Sequence, residues 1–158
     1  MNLYFKEMDE NRALYIVTEG NTDAAILRTL LVCDKYQRVY QVAAGGFGNL
    51  SSVAKTIRLM RSPMESKDKI LIVFDADSED KEAIMNRIGM MRSLTSADYD
   101  KRVGVFCFVP TIERYLFGDD YKLAKGDRGE LIKYLQENLG RLRELPEIKR
   151  IQEFLDKE

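Results

Sequence analysis

Five carboxylates stand where they could do chemistry together. Asp75 and Asp77 close the run Ile70-Leu71-Ile72-Val73-Phe74-Asp75-Ala76-Asp77, in which five apolar residues lead straight into two acids. Glu19 and Asp23 follow a second apolar run, Ala13-Leu14-Tyr15-Ile16-Val17, and Glu113 follows a third that stops at Pro110. Oxygen ligands with no Cys or His among them select Mg²⁺, Mn²⁺ or Ca²⁺. Histidine is absent from all 158 residues. That excludes a Ser/His/Asp triad, a Cys-His nucleophile pair and an imidazole-ligated zinc.

The elements that must hold these acids follow from hydrophobic pattern. A short, β-branched apolar run reads as a strand buried on both faces, as in the middle of a parallel sheet. Residues 13–17, 39–42, 70–74 and 103–109 fit, and each is followed by a turn and a helical pattern. The expected fold is therefore α/β, a mainly parallel four-stranded sheet flanked by helices, with extra C-terminal helices at about 130–138 and 146–157. Right-handed crossovers put every strand-to-helix turn at one edge of the sheet. Glu19, Asp75, Asp77 and Glu113 then share that edge.

Asp23 joins them because it precedes Ile26 and Leu27 on the same helical stripe and leans toward the helix N-terminus. In extended chain, side chains two apart point the same way, so Asp75 and Asp77 are expected to aim at one point. Asn21 or Thr22 is expected to cap the first helix, and Ser78 or Asp80 the third, whose inner face is Ile84, Ile88 and Met91. Residues 93–101 read as loop. Cys33 and Cys107 read as buried thiols, with no disulfide framework.

Two carboxylates ~6 Å apart repel by roughly 3 kcal/mol at an effective dielectric of ~20. Five at one edge, unbalanced, would erode a stability of only ~5–15 kcal/mol. Among neighbouring residues in sequence, only Arg114 supplies a positive charge beside an acid of the set. A divalent cation is the expected balance. A lone Asp-x-Asp after a strand can also do no more than cap the next helix.

The pattern Glu19-Gly20-x-Thr22-Asp23 after the first strand, a glycine turn after the second and Asp75-x-Asp77 after the third resembles the Toprim domain. That domain occurs in topoisomerases, primases, recombination proteins of the RecR type and OLD-family nucleases. The resemblance covers about residues 13–117 of a single domain, leaving 118–158 as a helical extension. It implies a Toprim-like, Rossmannoid fold in which Glu19, Asp75 and Asp77 are catalytic and hold Mg²⁺ or Mn²⁺ to cut phosphodiester bonds. Asp23 and Thr111-Ile112-Glu113 resemble the OLD-like subgroup, implying that Asp23 and Glu113 hold a second metal.

The implied partner is nucleic acid, DNA or RNA. Net charge is -1, so contact with phosphates must come from local groups: Gly46 and Gly48 in the glycine turn, Lys55, Arg58 and Arg61 on the second helix, and Lys122, Lys125 and Arg128 after the fourth strand. No Gly-x-x-x-x-Gly-Lys-[Ser/Thr] occurs, so a nucleotide motor would be a separate ATPase protein. No apolar run approaches a membrane span or a signal-peptide core, which points to a cytoplasmic protein without membrane contact.

Two other readings stand beside this one. A Toprim-like module could bind metal without turnover and dock a partner. Alternatively Gly46-Phe47-Gly48-Asn49-Leu50-Ser51 could serve as a dinucleotide-binding turn, with Asp75 on the ribose.

Overall fold

The computed structural model describes residues 12–60, 67–118 and 127–157. Arg61, Lys122 and Lys125 lie outside them. Four strands form one sheet: β1 Ala13–Thr18, β2 Arg38–Ala43, β3 Lys69–Asp75 and β4 Val103–Phe108. All pairings are parallel, in the order β2-β1-β3-β4. Seven described α-helices flank it: α1 Asn21–Leu30, α2 Leu50–Met60, α3 Lys81–Thr95, α4 Ile112–Phe117, α5 Arg128–Glu137, α6 Leu139–Arg143 and α7 Pro146–Asp156. No described helix is long and apolar enough to cross a membrane.

The uniform hydrophobicity of β3 is explained by cover on both sides. Leu71 and Val73 pack with Leu14, Ile16 and Phe108 beneath α1 and the C-terminal helices. Ile70, Ile72 and Phe74 pack on the opposite face with Leu50, Ala54 and Ile57 of α2 and Met91 of α3. β2, at the sheet edge, alternates exposed and half-buried residues. Because β1 leads outward to β2 whereas β3 returns to the other side of β1, the chain reverses direction across the sheet between β1 and β3. In open α/β sheets, ligands bind outside the carboxyl ends of the strands at such a reversal.

Several local expectations are corrected. Gly20 is the N-cap of α1, with no side-chain cap, so neither Asn21 nor Thr22 does this; instead Thr18 Oγ1 donates to the Gly20 carbonyl at 2.7 Å and holds the turn. The helix α3 continues to Thr95, through the start of the expected loop. A short extra helix, α6, stands between the two expected C-terminal ones. Asp80 caps α3, accepting from Ala83 N–H, while Ser78 Oγ accepts from Asp80 N–H. Both cysteines are free and buried, and burial pushes the Cys107 thiol up to about 12.

At the other end of the sheet α7 seals the outer strand. The Phe154 ring lies on Gly104 so closely that a Cβ there would stand 2.8 Å from ring carbons. Lys69 Nζ caps the helix by donating to the carbonyls of Phe154 and Lys157. Gly104→Ala is therefore expected to lower stability by about 1–3 kcal/mol, roughly 2–12 °C in Tm for a chain of this size. A thermal melt within about 1 °C of wild type would show that the ring swings aside freely.

Candidate functional site

The five acids converge on the reversal between β1 and β3. Glu19 follows β1, Asp23 lies in the first turn of α1, Asp75 ends β3, Asp77 follows it and Glu113 lies in the first turn of α4. Their electrostatic coupling shows the proximity. Burial pushes Asp23 up to about 7, helped by the charges of Glu113, Glu19 and Asp77. Asp75 also rises to about 7, through burial and the charges of Asp23, Glu113 and Glu19, against the lowering effect of a backbone hydrogen bond. Glu19 is raised by burial, Asp77 and Glu113, and lowered by Arg87.

The extended chain expected from Asp75 to Asp77 stops at Asp75. β3 ends at Asp75, and Asp77 has left-handed backbone, φ 53°. Asp tolerates this conformation because its short carboxylate bonds locally. Two bonds fix the bend: Ala76 N–H donates to the Phe108 carbonyl and Asp77 N–H to the Pro110 carbonyl, each at 2.9 Å. Asp75 keeps the strand's alternation, so it falls on the Leu71 and Val73 face, toward α1 and α4. There its Oδ1 accepts from Ile112 N–H at 2.8 Å. Asp77 is exposed and turned toward α3.

α3 brings a residue that the sequence pattern did not single out. Arg87 Nη1 donates to the carbonyls of Asp75 (3.2 Å) and Ala76 (2.9 Å) and stands 3.9 Å from Asp77 Oδ2. Its guanidinium lies 4.1 Å from the centroid of Phe47, whose ring meets the buried Phe74 edge-on at 5.1 Å. A signal existed: Arg87 adjoins the Ile84 and Ile88 stripe, and a long helical side chain leans toward the N-terminus, hence toward the end of β3.

Arg87 provides one positive charge among five acids, and its pair with Asp77 is partly exposed, where such pairs contribute about 0–1 kcal/mol. The rim is thus not neutralised internally by Arg87. Arg114, the cation expected beside Glu113, is exposed on α4, and its backbone N–H completes the Thr111 cap by donating to Oγ1 at 3.1 Å.

The glycine turn folds for a conformational reason. Gly45 (φ 87°) and Gly46 (φ 140°) adopt backbone that L side chains rarely reach. Together they bring the chain from β2 into a short 3-10 turn, Phe47–Asn49, which contains Gly48 and sets Phe47 against Phe74. Gly45 N–H donates to the Glu19 carbonyl, tying the turn to the rim. Of the basic residues expected at phosphates, Arg58 pairs with Asp100 at 3.2 Å, while Lys55 and Arg128 are exposed.

A hard dication fits the chemistry of these residues. Every donor is a carboxylate oxygen, burial and neighbouring charges raise Glu19, Asp23 and Asp75, and Glu19 Oε1 is buried and accepts no hydrogen bond among the described residues. An unsatisfied buried acceptor costs about 1–3 kcal/mol, more when charged. In the rotamers present, however, no three described His, Cys, Asp or Glu side chains form a group that could hold a metal ion. The acids share a rim rather than a closed cage, and capture of an ion would require Glu19, Asp75 or Asp77 to turn inward. Set against protein-family models, curated proteins and solved structures, the chain matches none.

Proposed function

We propose that the rim binds Mg²⁺ or Mn²⁺ and hydrolyses phosphodiester bonds in nucleic acid, as a Toprim-like nuclease of OLD-like character. The observation that carries this reading is the buried Glu19 Oε1, which has no hydrogen-bond partner among the described residues, on a carboxyl that feels the charges of Asp77 and Glu113 from two other strand-to-helix turns. Glu19, Asp75 and Asp77 would hold one ion, and Asp23 with Glu113 a second. A bound dication supplies Lewis-acid charge worth several kcal/mol to the developing phosphoryl charge.

The chain contributes position. The Ile112 N–H engages one oxygen of Asp75 and leaves the other for the rim. Burial pushes Asp23 and Asp75 up to about 7, so cation capture displaces protons and strengthens as pH rises. Nothing in this scheme requires an imidazole, in keeping with the composition.

The open rim lends some support to a second reading, a Toprim-like module that binds metal weakly and docks a partner such as a separate ATPase. The dinucleotide reading is less supported by the strand order: β1 separates the β2 turn from β3, so Gly46 and Asp75 follow strands that are not neighbours.

The test pairs a binding measurement with an activity measurement. Mn²⁺ at saturation is expected to raise Tm by several degrees at pH 8 and far less at pH 5, as linkage requires. With Mg²⁺ or Mn²⁺ the protein is expected to cut plasmid, oligonucleotide or structured RNA. Metal-dependent stabilisation without cleavage on any of these, with or without an ATPase partner, would leave the docking module; no stabilisation at pH 8 would exclude both.

A further inference from the structure

Arg87 is held at the rim in a way that leaves most of its donors unspent. A guanidinium carries five N–H donors in a planar fork. Only Nη1 is engaged, by the carbonyls of Asp75 and Ala76 and the nearby Asp77 carboxylate. Nε and Nη2 donate to nothing among the described residues. The plane is nevertheless fixed, because Phe47 supports the guanidinium and Phe74 in the core supports Phe47. An oriented fork with one edge anchored suits a tetrahedral oxyanion, which takes two parallel N–H bonds.

The surroundings make a carboxylate an unsuitable occupant, since the rim already holds five. A phosphodiester that arrives with its own dication brings charge of both signs. Resting on the reading of the rim as a phosphodiester site, we propose that Arg87, seated on Phe47, is the substrate-binding residue that clamps the non-bridging oxygens of the phosphate through Nε and Nη2. Glycines 45 and 46 then serve the substrate indirectly, by placing the ring that aims the fork. Phe47→Ala should keep the charge at the rim but lose its direction.

The probe is a five-nucleotide DNA with ordinary phosphodiester linkages, added to ¹⁵N-labelled protein with Ca²⁺ in place of Mg²⁺ so that it is held without being cut. The Arg87 Nε–Hε resonance, identified by its loss in Arg87→Lys, is expected to shift saturably. Arg87→Gln is expected to weaken binding of the oligonucleotide about 10- to 100-fold, in line with a charge-assisted hydrogen-bonded pair, and to leave Mn²⁺ affinity unchanged or tighter. Arg87→Lys should recover only part of the loss. A role confined to tethering the β3 carbonyls would not move the wild-type resonance.

An oligonucleotide that binds without moving Arg87 Nε–Hε, or that fails to bind, overturns the clamp. Cleavage that survives Arg87→Gln within about twofold sinks the clamp alone. A wild-type protein that shifts at Arg87 but never cuts sinks the hydrolytic reading and leaves the clamp standing. The wild-type resonance keeps the test decisive even if a variant does not fold.

Discussion

Asp75→Asn is expected to lower metal-dependent cleavage by roughly a thousandfold or more, because several kcal/mol of charge stabilisation is lost and each 1.36 kcal/mol is tenfold in rate. The fold should survive. Asn Oδ1 can still accept the Ile112 N–H that Asp75 Oδ1 accepts at 2.8 Å, and the substitution removes one charge from a crowded set. Glu19→Gln should behave alike, since it retains the shape of the half-buried side chain but removes its charge. Asp98→Asn, which only loosens the surface pair with Arg92 at 2.7 Å, is the control and should cut as wild type. Purified Asp75→Asn that cleaves within tenfold of wild type would remove the rim from the chemistry, whatever the activity's source.

Metal-free protein is expected to lose stability as pH rises from about 4 to about 7, opposite to the usual behaviour of carboxylates. Asp23 and Asp75 titrate near 7 in the fold against 3.8 in the unfolded chain. Between those values the folded state binds more protons than the unfolded one, so the unfolding free energy falls with pH across this window and levels off above it. Asp100 acts in the other direction: its hydrogen bonds to Arg102 hold it below the ordinary value. The stability it contributes is present above pH 4 and is lost only in stronger acid, outside the window.

Asp23→Asn should flatten the slope and raise the metal-free Tm at pH 8. Because the acid is only partly buried and solvent screens it, the gain should be modest, about 1–2 kcal/mol or roughly 2–8 °C. Melts in a chelator at pH 5, 6, 7 and 8 measure this. A wild-type Tm that rises with pH across that range would mean that the acids are farther apart or wetter than their coupling implies. The same variant is expected to trade activity for stability if Asp23 holds an ion. A site that stores like-charge repulsion is stabilised by the loss of any one charge.

Much of this was legible in the chain. Hydrophobic runs are local signals, so the four strands and the helices after them follow from residues 13–17, 39–42, 70–74 and 103–109 within a residue or two. Crossover handedness is general, so it was also clear that Glu19, Asp75, Asp77 and Glu113 would share an edge. The absence of histidine narrowed the available chemistry before any coordinates.

What the chain could not disclose depends on contacts between distant segments. Nothing in the run from Ile70 to Asp77 signals that the Phe108 and Pro110 carbonyls will capture the N–H groups of Ala76 and Asp77 and bend the backbone at Asp77. Strand order was equally hidden, because any of several orders buries the same apolar runs; only the packed sheet places β1 beside β3 and so brings the end of β1, before Glu19, next to the end of β3 at Asp75. Arg87 is the sharpest case, since its meaning comes from a ring forty residues earlier and a strand end twelve residues earlier. The sequence alone determined which groups reach the rim, since pattern and polarity are written residue by residue. Tertiary structure decided which way they face, because direction is set by hydrogen bonds and ring contacts that no single segment contains.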